Sequence, residues 1–104
     1  MIKVNVFYPN EPGAKFDMDY YCNSHIPMVK RKLGAALKGV DVDQGLAGGA
    51  PGSPATYVVI AHLLFDSVAA FQKAFDANTD AILGDIPNYT SIEPIIQISE
   101  IQMD

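Results

Sequence analysis

The stretch Phe16–Val29, FDMDYYCNSHIPMV, decides how the rest of the chain is organised. It begins as a helix, because the Asp17 carboxylate can accept hydrogen bonds from the backbone N–H groups two and three residues on. Pro27 has no N–H and its ring crowds the carbonyl four residues earlier, so a regular helix cannot continue through it. We therefore predict a helix that kinks or restarts at Pro27, with a second piece over Met28–Leu33 that Gly34 ends.

One side of this helix combines apolar and hydrogen-bonding side chains. Met18, Tyr21, Cys22 and His25 follow one another at helical spacing. Two interpretations are open. In the first, Tyr21 and His25 lie at the edge of the core and their polar ends bond to nearby backbone groups. In the second they face a pocket, where an imidazole is well suited to moving a proton near neutral pH.

The composition indicates a single folded domain over residues 1–104. The chain is 49% hydrophobic and 18% charged, which is typical neither of disordered nor of fibrous proteins. Its formal net charge is −5, and its one cationic run, Lys30–Lys32, suits the C-terminal end of a helix. We therefore expect no nucleic acid as a partner.

The N-terminal residues and the cysteine content indicate the compartment. Cys22 is the only cysteine, so no intramolecular disulfide is expected. Met1–Asn5 do not begin a signal peptide, and no window reaches the length of a membrane span. The sequence predicts a cytoplasmic protein without membrane association.

Hydropathy patterns predict four strands and two main helices. The strands are Ile2–Tyr8, Val40–Leu46, Thr56–Phe65 and Ile95–Ile101. The second helix follows Asp66-Ser67, buries Val68, Phe71 and Phe75, and precedes a short helical turn at Ile82-Leu83. The order β-α-β-β-α-β predicts an α+β, ferredoxin-like βαββαβ fold, with a four-stranded antiparallel sheet and helices on one face.

The other face of this sheet predicts a homodimer. Thr56–Phe65 is apolar on both faces, and the last strand carries isoleucines on both. The uncovered face of a monomeric antiparallel sheet would be polar. A second copy that covers this face through C2 symmetry would combine two sheets into one barrel, a dimeric α+β barrel.

Several blocks of sequence together resemble the EthD family, named for a protein required in ethyl tert-butyl ether degradation. The blocks cover nearly the whole chain and are Phe7-Tyr8-Pro9, Phe16-Asp17 to His25-Ile26-Pro27, Tyr57–Phe65 with Asp66-Ser67, Asp85–Thr90, and Pro94–Ile98. The resemblance implies the dimeric α+β barrel. It also implies a reductase or oxidoreductase label, whereas relatives in fungal polyketide pathways are described as cofactor-independent dehydratases, decarboxylases or oxygenases. His25, with Tyr21 one turn earlier, matches the family best, although Tyr20-Tyr21 stands where many members have a tryptophan.

No cofactor is predicted. No Gly-x-Gly-x-x-Gly follows a strand, so a nicotinamide or flavin site is not indicated. His25 and His62 are the only histidines and lack a nearby carboxylate at metal-ligand spacing, so no metal site is predicted. Haem ligation by either histidine stays open as an alternative. Cys22 lies on the apolar stripe, which favours packing over nucleophilic catalysis.

The residues favour a pocket between the helices and the sheet, for a small apolar or aromatic ligand. We assign His25 as its acid or base and Tyr21 as a donor to a substrate oxygen, both catalytic. The candidate substrate-binding residues are Tyr8, Tyr57, His62, Asp85 and Tyr89. Strand alternation leaves open whether His62 faces this pocket or the barrel between subunits. The alternative function is a non-catalytic binding or accessory protein of a catabolic oxygenase pathway, which needs only an apolar pocket.

Overall fold

Four strands form one antiparallel sheet in the order β2-β3-β1-β4. A computed structural model describes residues 1–103; Asp104, the last residue of the predicted domain, lies outside the described residues. The elements are β1 (Ile2–Pro9), α1 (Met18–Tyr20), a π-helical turn (Tyr21–His25), α2 (Ile26–Leu33), a 3₁₀ turn (Gly34–Ala36), β2 (Gly39–Gln44), β3 (Tyr57–Phe65), α3 (Val68–Asp76), α4 (Thr79–Gly84), a second 3₁₀ turn (Ile86–Asn88) and β4 (Ile95–Glu100). The predicted ferredoxin-like βαββαβ order is confirmed.

The core lies between the helices and the two central strands. On β1 the side chains of Ile2, Val4 and Tyr8 are buried, as the alternation predicts. The register pairs Ile2 with Phe65 and Val4 with Leu63, so the buried residues of β1 and β3 share one face. The helices cover this face, because buried residues of α2 and α4 belong to the same hydrophobic cluster.

The first helix restarts near Pro27, as predicted, by way of a π-helical turn. Asp17 caps the helix and accepts from the Tyr20 N–H at 3.0 Å. Ile26 N–H then donates to the carbonyl of Tyr21, five residues back, and α2 begins with Pro27 in its first turn. One prediction for this helix is wrong: Cys22 is exposed rather than part of the buried stripe, because the wider turn changes the helical spacing.

The segment after α4 is fastened to the start of the first helix. Phe16 and Thr90 form an isolated β-bridge, and Asp17 N–H donates to the carbonyl of Tyr89 at 2.8 Å. The Thr90 hydroxyl donates to the carbonyl of Lys15 at 2.6 Å. These bonds fix the segment that carries Asp85 and Tyr89 against the π-helical turn.

No helix within residues 1–103 lies over the opposite face of the sheet. Asn5 lies at its centre, opposite His62 on β3 and Gln97 on β4. The Nδ2 group of Asn5 donates to the Ser99 hydroxyl at 3.1 Å, and its Oδ1 accepts from His62 Nδ1 at 2.8 Å. The molecule is correspondingly thin, with extents of 40 × 34 × 19 Å. We call this surface the open face.

Strand β2 is shorter than predicted. It ends at Gln44 rather than Leu46, and Leu46 is 92% exposed. Gly45, the residue after β2, lies so close to β3 that a Cβ there would collide with the carbonyl oxygen of Tyr57.

None of the helices within residues 1–103 combines the length and apolar character that a membrane span requires.

Candidate active site

An apolar cavity lies between the helices and the sheet. Its wall includes Val29 and Leu33 of α2, Phe75 of α3 and Ile82 of α4, and its volume is about 70 Å³. His25 also lines it. The π-helical turn is therefore the element that brings a polar side chain to an otherwise apolar wall, as such turns often do at functional sites.

His25 forms a close pair with Asp85. The imidazole Nδ1 lies 2.8 Å from Asp85 Oδ2, although the two residues are sixty positions apart in the sequence. The side chains are 6% and 16% exposed, respectively. Because an ionised carboxylate can only accept, Nδ1 carries the hydrogen in this pair, and this assignment follows from the bonding partner.

Asp85 is surrounded by hydrogen-bond donors. Its Oδ1 accepts from the Tyr20 hydroxyl at 2.6 Å and from the Asn88 amide at 2.9 Å, while Oδ2 accepts from His25. Burial raises the pKa of Asp85, but the hydrogen bonds from Tyr20, Asn88 and His25 outweigh it, so that pKa lies below its usual value. Asp85 is therefore an anion at neutral pH.

The His25 imidazole is neutral at neutral pH. Burial lowers its pKa, and the opposing attraction of Asp85 does not fully compensate. With the hydrogen on Nδ1, the neutral ring keeps an unshared electron pair on Nε2. Nε2 has no hydrogen-bond partner among residues 1–103. Every fully buried side-chain nitrogen or oxygen of those residues has a partner, so Nε2 is not fully buried. Nε2 is therefore accessible as a base.

Two buried tyrosines pack against this imidazole, and a third, Tyr8, contacts both of them. The ring of Tyr21 stacks on His25 with centroids 5.3 Å apart, and the ring of Tyr89 contacts it at 4.6 Å. The hydroxyls of Tyr8 and Tyr89 lie 2.8 Å apart. Burial raises the pKa of Tyr8, Tyr21 and Tyr89, so these phenols stay neutral. They hold the orientation of the imidazole without adding charge.

The structure brings together most of the candidate residues predicted from the sequence. Tyr8, Tyr21, His25, Asp85 and Tyr89 form one contiguous cluster. Within it, Tyr21 and His25 line the cavity, whereas Asp85 bonds to the imidazole without lining the cavity.

Two candidate residues are not part of this cluster. His62 lies on the open face, bonded to Asn5, with its Nε2 3.5 Å from Asp43. Tyr57 also lies there, because a bulge in the β1–β3 pairing turns its ring toward Phe7, at a centroid distance of 5.0 Å. For His62, whose direction the sequence left open, the structure gives the open face, and the sheet separates both side chains from the cavity. A substrate-binding role for either residue stays a prediction.

The sequence prediction missed Tyr20 and Asn88, which bond to Asp85. For Asn88 there was a signal, since Asp85 and Asn88 are three residues apart across a proline-containing turn, a spacing at which side chains interact. Tyr20 had none, because its partner is distant in sequence. As for metals, the described residues contain no cluster of three or more His, Cys, Asp or Glu side chains.

The fold and the cavity define a small ferredoxin-like α+β protein with a histidine–aspartate pair beside an apolar pocket. The chain belongs to the EthD family, since the model for the EthD domain matches residues 13–93. No functionally curated protein matches it significantly.

Solved structures agree with this assignment. An EthD-like protein from Ralstonia eutropha JMP134 is 48% identical with a TM-score of 0.95, over 99% of this chain and 93% of that one. An ethyl tert-butyl ether degradation (EthD) family protein from Bacillus halodurans C-125 is 18% identical with a TM-score of 0.66, over 98% and 99% of the chains. HapK from Hahella chejuensis, at 11% identity, has a TM-score of 0.58 over 98% and 95%. The last two show the fold alone.

Proposed function

We propose that this EthD-family chain is an oxidoreductase-like enzyme that acts on a small apolar or aromatic, oxygen-bearing molecule without a nucleotide cofactor. His25 is its acid–base group. The observation that carries the proposal is the position of the imidazole, which lines an apolar cavity and bonds to Asp85 through Nδ1 at 2.8 Å. A carboxylate bonded to Nδ1 and an unbonded Nε2 together suit the imidazole for general-base catalysis.

The chemistry follows from this arrangement. Nε2 takes a proton from an O–H group or an acidified C–H group of the ligand, and the imidazolium that forms is stabilised by Asp85. Return of the proton to a different ligand atom completes an isomerisation or elimination. Where the reaction is an oxidation, the ligand loses two electrons and two protons, and dioxygen, as co-reactant, takes up both and forms hydrogen peroxide. Tyr21 supports the reaction by stacking on the imidazole.

Turnover of phenolic and quinone-like substrates as a function of pH tests this proposal. We expect kcat/KM to follow the ionisation of one imidazole and to fall at least about a hundredfold in His25→Gln. Retained turnover in His25→Gln, in a protein that is folded by circular dichroism, would reject His25 as the acid–base group.

The alternative is a non-catalytic protein that binds and delivers the same kind of ligand. It is favoured by the nearly continuous apolar wall of the cavity, which can bind a ligand without any titrating group. Ligand binding with an unchanged affinity across the His25 titration, together with no turnover in the substrate panel, would support this alternative over the enzyme.

We further propose that the protein is a homodimer that pairs through the open face. Phe7, Ile60 and Leu64 are half-buried there, and Ile95 is 54% exposed. The polar centre formed by Asn5 is already hydrogen-bonded within the chain, so a second copy could cover it without leaving unpaired groups. The single-domain organisation and the cytoplasmic location stay predictions from the sequence.

A further inference from the structure

The wall of the cavity carries no charged side chain. Its lining residues are aliphatic or aromatic, apart from His25, whose imidazole is neutral at neutral pH. The run of cations Lys30–Lys32 in α2 is exposed and does not line the cavity. A ligand carboxylate or phosphate would therefore lose its hydration without gaining an ion pair, which is costly in an apolar site.

The hydrogen-bonding atom that the imidazole offers to a ligand is an acceptor. The hydrogen of the imidazole is on Nδ1 and is used by Asp85 Oδ2, so Nε2 presents an electron pair. Because Oδ1 of Asp85 is occupied by Tyr20 and Asn88, the carboxylate is held as an anion and keeps the imidazole in this tautomer.

Tyr21 is the tyrosine that lines the cavity, and the hydroxyls of the neighbouring Tyr8 and Tyr89 bond to each other at 2.8 Å. An ether or ketone oxygen can only accept, so it gains no hydrogen bond from Nε2 of His25.

We infer that the site selects uncharged ligands that donate a hydrogen bond, namely phenols and enols, over ethers, ketones and carboxylates of the same shape. This inference rests on the proposed function and narrows its substrate class, because the donated hydrogen is the proton that Nε2 would remove. The inference is based on the position of one hydrogen-bond acceptor, Nε2 of His25, at an otherwise apolar wall.

Matched probes test the inference by binding alone. At about pH 8, the dissociation constants of p-cresol, 4-methylanisole and 4-methylbenzoate are measured by isothermal titration calorimetry. We expect 4-methylanisole to bind about tenfold more weakly than p-cresol, since it cannot donate to Nε2, and 4-methylbenzoate about a hundredfold more weakly. Equal affinity of the ether and the phenol, tighter binding of the carboxylate, or no binding of p-cresol to the folded protein would each overturn the inference.

Two variants assign the preference to His25. His25→Leu removes the acceptor and is expected to abolish the difference between p-cresol and 4-methylanisole. Should His25→Leu not fold, Asp85→Asn serves instead, because it removes the anion that fixes the tautomer. His62→Gln is the matched control, since His62 lies on the open face, and its variant should keep the preference. A preference that survives the loss of His25 overturns the inference.

The outcomes separate this inference from the proposed function. Phenol preference without turnover of any substrate supports the inference and rejects the acid–base proposal. Turnover that depends on His25, with ether and phenol bound equally, supports the acid–base proposal and overturns the inference.

Discussion

His25 Nδ1 lies 2.8 Å from Asp85 Oδ2, and this contact joins the π-helical turn to the segment that follows α4. The carboxylate fixes which ring nitrogen carries the hydrogen and leaves Nε2 free. The proposed chemistry and the inferred ligand class both depend on this one relationship.

Replacement of Asp85 by Asn should change the ligand preference and not only the activity. An asparagine amide can donate to Nδ1, so the imidazole hydrogen would move to Nε2 and the site would present a donor. We expect kcat/KM to fall at least about a hundredfold, because in other histidine enzymes the same carboxylate-to-amide change leaves the imidazole in the wrong tautomer. The ether probe should gain affinity relative to the phenol in calorimetry. An unchanged preference in a folded variant would show that Asp85 does not set the tautomer.

Removal of the Tyr20 hydroxyl should shift the acid stability of the protein. The pKa of Asp85 is lowered in the fold, so its contribution to stability is present above its unfolded pKa, about 3.8, and is lost as pH falls through the lower folded value. Without the hydrogen bond from Tyr20, the pKa of Asp85 in the folded protein rises toward its unfolded value. The ionised Asp85 then adds less to the free energy of unfolding at neutral pH. Urea unfolding of Tyr20→Phe as a function of pH should show this smaller gain.

The control for that experiment is Tyr57→Phe, because Tyr57 packs on Phe7 at the open face and does not contact Asp85. A pH dependence that changes equally in both variants would contradict the role assigned to the Tyr20 hydroxyl.

His25 should make the protein less stable in weak acid. Burial lowers its folded pKa below the usual 6.5, so its contribution to stability is fully present above about pH 6.5 and is lost as pH falls toward the lower folded pKa. The free energy of unfolding in urea should therefore decrease as pH falls from about 7.5 to 5. His25→Gln should remove this decrease, while His62→Gln should retain it; the opposite pattern would contradict a buried, neutral His25.

A charge on the open face should dissociate the proposed dimer. Ile95 pairs with Phe7 on that face and is 54% exposed, so Ile95→Glu places a carboxylate in the interface without disturbing the core. We expect a dimer for the unsubstituted protein and a monomer for Ile95→Glu in size-exclusion light scattering. Ile98→Glu, on the other face of the same strand, is the matched control and should remain a dimer. A monomeric unsubstituted protein would reject the dimer.

The sequence allowed prediction of the fold because its signals are local. Alternation on β1 and the Asp17 cap depend on neighbouring residues alone, and both were predicted correctly. Cys22 and Tyr57 were misplaced because a π-helical turn and a bulge each change the periodicity, and neither has a clear sequence signature.

The site was predictable only in part, for the same reason. His25 stands out beside Pro27, but its partner depends on how the segment after α4 is attached to the first helix. That attachment runs through the Phe16–Thr90 bridge and the backbone bond between Asp17 and Tyr89, which are long-range contacts. Asp85 was therefore predicted as a pocket residue rather than as the partner of the imidazole.

Long-range ¹H–¹⁵N NMR of the histidine side chains tests the His25–Asp85 pairing directly, because it reports which nitrogen of His25 carries the hydrogen. We predict a neutral His25 at about pH 7.5, protonated on Nδ1, with Nε2 unprotonated and perturbed when p-cresol binds. A His25 ring that is protonated on Nε2, or is charged at this pH, would contradict this prediction.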